Sequence, residues 1–253
     1  MTKGGIKMKL IFNEEFDYEG KPDPAKWTHQ TGGNWFNNEI QYYTDDIENC
    51  FVKDGKLTIK ALLEQREHRN HTSARINTAG KFSFMHGRIE MRAKLPKGKG
   101  SWPAFWMMPE NRDQPWPLCG EIDLMEYAWG ASPHDLHFTV HSELYNHKIN
   151  TQETLIEQFD NVTEEFNRYT CDWKEDSIAY FVNDRHIVTF YRDKRVDGSP
   201  KPDTFEAWPF NQPFHLLLNL AVGGMFGGEV DDAQLPYVYE IDYVKVWSFE
   251  EEE

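Results

Sequence analysis

Basic residues are scarce in this chain: 27 Lys and Arg stand against 42 Asp and Glu, a net charge of −15. That balance works against nucleic acid or another polyanion as partner, and more weakly against a sulfated polysaccharide. Long apolar runs are also missing. None approaches the roughly 20 residues that cross a bilayer, so no membrane partner is expected. The first ten residues carry positive charge but no apolar signal core. Either the protein stays inside the cell, or the chain is a mature region whose export signal has been removed. Cysteine is limited to Cys50, Cys119 and Cys171, an odd number without metal-ligand spacing. They read as small buried thiols. No Ser/Gly-rich, Pro-rich or repetitive stretch divides the chain, so residues 1–253 read as one domain. The acidic run at 250–253 reads as a solvated tail. The sequons at Asn70 and Asn161 are too short a pattern to carry weight.

Helical periodicity is scarce as well; alternation with a period of two dominates. Residues 87–95 place Ile89, Met91, Ala93 and Leu95 on one face and Arg88, Glu90, Arg92 and Lys94 on the other, a half-buried antiparallel strand. Residues 57–62 read the same way after an Asp54-Gly55 turn. Residues 178–182 and 186–190 flank Asn183-Asp184-Arg185, which predicts a hairpin. Residues 214–222 are continuously apolar, a strand covered on both sides, and 237–247 form a closing strand. A short helix is expected only at 162–169, with Thr163 as its cap. Many strands and little helix predict an all-β protein, a β-sandwich or jelly roll of two sheets. A curved sheet of this size forms a groove for a polymer.

What is abundant is aromatic: 15% of residues, with nine Trp. Core packing accounts for many of them, yet Trp and Tyr also form flat amphipathic platforms on which the C–H faces of sugars stack. The most informative stretch is 121–126, Glu-Ile-Asp-Leu-Met-Glu. Alternation puts Glu121 and Asp123 on one face and gives Glu126 the wrong parity. A one-residue bulge at Leu124-Met125 would return Glu126 to its partners. Two glutamates with an aspartate between them are the equipment for glycosidic hydrolysis, which needs an acid at the leaving oxygen and a carboxylate near the anomeric carbon. With the bulge, Glu121 and Glu126 stand roughly 13 Å apart at Cα. Inclined side chains then approach the ~5–5.5 Å of a retaining pair. Such crowding keeps one glutamic acid protonated near neutral pH. An ordinary acidic surface strand is the alternative, although flanking Ile122, Leu124 and Met125 speak against it. A metal site is the rival use of the carboxylates. The run lacks the glycines of a calcium loop and has no His at zinc spacing within the strand.

Residues 120–127 resemble the catalytic signature of glycoside hydrolase family 16 in its bulged, laminarinase-like form. Stretches 12–16, 37–44, 80–84, 87–90, 101–108, 218–224 and 241–244 match that family in order. The resemblance implies a curved, concanavalin A-like jelly roll of two antiparallel sheets, a cleft on the concave face, and a retaining mechanism without a catalytic cofactor. Glu121 would be the nucleophile, Glu126 the acid and then the base, and Asp123 the group tuning both. Segment 37–44 resembles endo-1,3-β-glucanases, which implies a β-1,3-glucan substrate. Mixed-linkage glucan and agar stay open as substrates, as does a non-catalytic glucan-binding role, which both glutamates argue against. A monomer, secreted or extracytoplasmic, is the expected context.

By the same resemblance Trp102 and Trp106 would line the groove, with core packing as the alternative. His141, on a face with His137 and Thr139, would lie near the carboxylates or else be a hydrogen-bonded sheet histidine. Asn38 and Arg75 would contact sugar hydroxyls, and for Arg75 a surface ion pair is the alternative. Asn219 would project into the cleft, and Trp129 would offer a platform or simply pack. The family also implies a structural calcium on the convex face, held by Glu15, the Gly55 carbonyl and Asp242. One departure stands out: after Gly223-Gly224 the chain reads Met-Phe-Gly-Gly, where many laminarinases carry a Trp.

Overall fold

The computed structural model describes residues 7–250 apart from 112 and 131, so residues 251–253 of the acidic tail and the first six residues lie outside it. Glu250 itself pairs with Lys7 at 2.9 Å.

Two sheets enclose one apolar cluster. The seven-stranded sheet runs in the order Glu153–Gln158, Asp135–His141, Glu121–Tyr127, Ser101–Pro109, Phe214–Val222, Arg75–Asn77, Thr28–His29. The ten-stranded sheet has Gly87–Lys94 and Tyr237–Phe249 paired near its middle. This is the jelly-roll sandwich that the alternation predicts. One pair departs from the antiparallel rule: Gln41–Tyr43 runs parallel to Arg69–Ser73.

The period-two reading holds because each strand buries one face. In Gly87–Lys94, Ile89, Met91 and Ala93 are fully buried while the charged residues between them stay partly exposed. Phe214–Val222 is buried along all nine residues. The two predicted turns are two-residue hairpins. Asp54 and Gly55 have φ of 52° and 71°, and Asn183 and Asp184 have 49° and 67°, the left-handed pair that matches strand twist. The three cysteines are buried.

The helix expected at 162–169 does not form. Residues 162–164 make a turn, closed by the Glu164 and Glu165 amides on the Asn161 carbonyl, and Asn167–Trp173 is a strand. Pairing with Gly87–Lys94 buries Tyr169, Cys171 and Trp173, which a lone helical turn could not do.

The predicted bulge is present. Asp123 faces Thr139 and Glu126 faces His137, leaving Leu124 and Met125 opposite Phe138 alone. Leu124 and Met125 are 1% and 0% exposed. Burying two consecutive apolar side chains, at about 1.5–3 kcal/mol each, offsets the locally broken ladder and fixes where the bulge sits.

Candidate active site

On the seven-stranded sheet, the face turned away from the core carries a cleft of about 740 Å³. Strand alternation supplies its floor. Trp102, Ala104, Trp106 and Met108 point into it while Phe105 and Met107 enter the core. Leu217 and Asn219 reach it from the next strand, and Glu121, Asp123 and Glu126 all line it because of the bulge. The turn at 36–39 forms one wall. It is tied down by the Met225 amide on the Asn37 carbonyl at 2.7 Å and the Ile40 amide on the Val222 carbonyl at 3.1 Å. Gly224 allows that contact: a Cβ there would stand 2.7 Å from the Asn37 carbonyl oxygen.

Each glutamate is held by an indole. Trp116 Nε1 donates to Glu121 Oε2 at 2.9 Å, and Trp102 Nε1 donates to Glu126 Oε1 at 3.1 Å. Burial pushes both carboxyls up to about 7. Their other neighbours differ. Around Glu121, hydrogen bonds from Asp123 and Trp116 and the charge of Arg75 favour the anion. Around Glu126, the charges of Glu121 and Glu39 favour the proton, and Trp102 opposes them. Asp123 is 2% exposed; burial first, then the charges of both glutamates, raise it well above the usual carboxylate range. It therefore holds a proton and donates it toward Glu121. Burial thus raises both glutamates alike, while their neighbours bias Glu121 toward the anion and Glu126 toward the acid.

His141 stands opposite Glu121 across the strand pair, with Nε2 4.0 Å from Glu121 and 3.5 Å from Asp123. Burial, helped by His147, lowers its pKa to about 3, so the imidazole is neutral.

Residues 48–245 match the family model described as glycosyl hydrolases family 16. A beta-glucanase of Rhodothermus marinus is 43% identical, over 96% of this chain and 86% of its own length. A glucan endo-1,3-beta-glucosidase of Cryptopygus antarcticus is 36% identical, over 94% of this chain and 92% of its own. Among solved structures, the laminarinase of Rhodothermus marinus superposes with a TM-score of 0.92 at 42% identity, covering 97% of this chain and 99% of that one. The chain belongs to glycosyl hydrolase family 16.

Not every residue expected from the resemblance to this family reaches the cleft. Arg75 does: its guanidinium lies 4.8 Å from the Trp35 ring and 4.7 Å from the Trp106 ring, and its Nε donates to Gln30 at 2.6 Å. Trp106 and Asn219 do, joined by a 2.7 Å hydrogen bond, and Asn219 goes on to donate to Tyr43 at 3.0 Å. Asn38 does not. It is exposed at φ 58°, and its neighbours Asn37 and Glu39 line the wall instead, because two successive left-handed residues turn it outward. Trp129 does not either; it packs against the core edge beside Lys97, outside the cleft lining. At the departing loop, Phe226 sits edge-on to Trp102 and to His137, at 5.3 and 4.6 Å.

The calcium ligand set does not fit as it stands. Glu15 pairs with Lys245 at 2.7 Å and Asp242 with Arg92 at 2.5 Å. Both carboxylates already hold a cation, which a divalent ion would have to displace.

Sequence reasoning missed Trp116, Glu39 and Trp35. Trp116 lies in the 110–120 connection, where no strand parity applies. Glu39 is 7% exposed and accepts from Gln41 and Tyr43, at 2.8 and 3.1 Å. Its position inside segment 37–44 was the one available signal.

Proposed function

We propose that this family 16 enzyme is an endo-acting, retaining β-1,3-glucanase. The observation that carries the reading is the bulged strand, which sets Glu121 and Glu126 on one cleft face in opposite electrostatic surroundings. Glu121, as the anion, attacks the anomeric carbon while Glu126 gives its proton to the departing glycosidic oxygen. A glycosyl ester on Glu121 results. Glu126, now a carboxylate, takes a proton from water, and the hydroxide attacks the anomeric carbon and releases Glu121. Asp123 holds a hydrogen bond to Glu121 that steadies the carboxylate as it leaves. The cleft, lined by Trp102, Trp106 and Arg75, supports binding of a glucan chain, and the names of the relatives support the β-1,3 linkage. Such a polymer is met outside the cytoplasm, in keeping with an extracytoplasmic enzyme.

The test is a panel of laminarin, mixed-linkage β-glucan and agarose, read as reducing ends released. Laminarin should be cleaved fastest, into mixed oligosaccharides, with β-anomers appearing first by NMR. Faster release from agarose, or α-anomers first, would overturn the reading. Glu121→Ser should abolish hydrolysis yet keep oligosaccharide binding.

A further inference from the structure

Within the strand, no histidine accompanies the carboxylates; across the strands, one does. Glu121 and His141 are register partners, and Asp123 lies two residues along on the same face. Ligand atoms of the three side chains all fall within 4.8 Å of one another. Ligands held 2.0–2.2 Å from a tetrahedral zinc ion stand roughly 3.3–3.6 Å apart. The 3.5 Å between His141 Nε2 and Asp123 Oδ2 is already such an edge, and the 4.0 Å to Glu121 Oε1 needs a small side-chain rotation. Asp123 Oδ2 is buried without a hydrogen-bond partner, beside that imidazole nitrogen.

We propose that Glu121, Asp123 and His141 form an inhibitory binding site for a borderline transition dication, Zn²⁺ or Cu²⁺, inside the catalytic cleft. One imidazole nitrogen with two carboxylate oxygens selects these ions over magnesium and calcium, which favour oxygen alone. Glu121 and Asp123 both line the cleft, so a fourth position opens to water. Zinc and substrate exclude each other, since the metal occupies the carboxylate that must reach the anomeric carbon. Only this exclusion rests on Glu121 as nucleophile; the site itself stands on the side-chain geometry.

Calorimetric titration of ZnCl2 into the EDTA-treated, dialysed protein tests the site without an activity assay. One strong site per chain is expected, weakened at least tenfold in His141→Gln and in Asp123→Asn, each checked for folding by thermal melting. Equal zinc affinity in the folded variants would overturn the site. The Cu²⁺ adduct of the wild type should show coupling to an imidazole nitrogen by electron paramagnetic resonance; its absence overturns the site even if a variant fails to fold. Saturating laminari-oligosaccharide should abolish zinc binding. Zinc binding that depends on His141 yet persists beside the oligosaccharide would keep the site and sink the competition, and with it the placement of Glu121 at the reacting carbon.

Discussion

Trp102 donates its indole N–H to Glu126 at 3.1 Å, and no other side-chain hydrogen bond to that glutamate is found among the described residues. The bond favours the anion of Glu126 and fixes the carboxyl in the cleft. Trp102→Phe keeps the ring and removes the donor. Glu126 should then hold its proton more tightly and point less well. The alkaline limb of kcat/KM should move up in pH, and kcat should fall about tenfold, worth ~1.4 kcal/mol of transition-state stabilisation. A pH series on laminarin checks both effects; unchanged kcat would mean that the indole only packs.

Glu39 acts on the same limb with the opposite sign. Its charge raises Glu126 from the cleft wall. Glu39→Gln retains an acceptor for Tyr43 and Gln41 but removes the charge. The alkaline limb of kcat/KM should move to lower pH by up to about one unit, with the acid limb less affected. The profile is to be measured with EDTA present, so that no metal occupies the cluster.

The carboxylate cluster costs stability above neutrality. Glu121 and Glu126 have folded-state values raised to about 7, above the 4.5 of an unconstrained glutamate. Between those values the native state binds more protons than the unfolded chain, so stability falls as pH rises through this window. Glu126→Gln imitates the protonated form at every pH. It should melt higher than wild type at pH 8, by roughly 1–3 kcal/mol of stability, and the difference should vanish near pH 4.5. Equal melting temperatures at pH 8 would contradict the raised value.

Arg75 is held between Trp35 and Trp106 and also favours the anion of Glu121. Arg75→Lys keeps a charge but loses the planar surface that spans both rings. KM for laminarin should rise about tenfold, since both indoles lose their shared contact, while the acid limb of the pH profile stays within a few tenths of a unit. A steady-state titration at several pH values separates the two effects.

Much of this architecture was legible because a half-buried strand writes its two faces into alternate residues. Gly87–Lys94 and the hairpin turns at Asp54 and Asn183 are of that kind. The bulge was legible as a parity error, since Glu126 had no other way to join Asp123. What alternation cannot encode is the chain between strands. Asn38 and Glu39 are neighbours, yet two left-handed residues decide which of them faces the cleft. Trp116 reaches Glu121 from a connection without periodicity. The 162–169 segment failed for a different reason: its local signals suit a turn of helix, but a partner strand 70 or more residues away decides its conformation.

The bulge also offers a test by deletion. Removing Met125 leaves Glu-Ile-Asp-Leu-Glu, in which simple alternation already puts all three carboxylates on one face and keeps Tyr127 toward the core. Nothing on the cleft side need move. The loss falls on the core, where Met125 is fully buried, and a vacated side chain of that size costs about 2–5 kcal/mol. The deletion variant should therefore melt well below wild type yet still release reducing ends from laminarin at a temperature where it is folded. Substrate preference should stay the same, because Leu124 falls opposite Phe138 and Phe105, and Glu126 keeps His137 and Ala104 as its register partners. A folded variant with no turnover on any glucan would show that the bulge does more than restore parity, and that the extra residue itself sets the separation of Glu121 from Glu126.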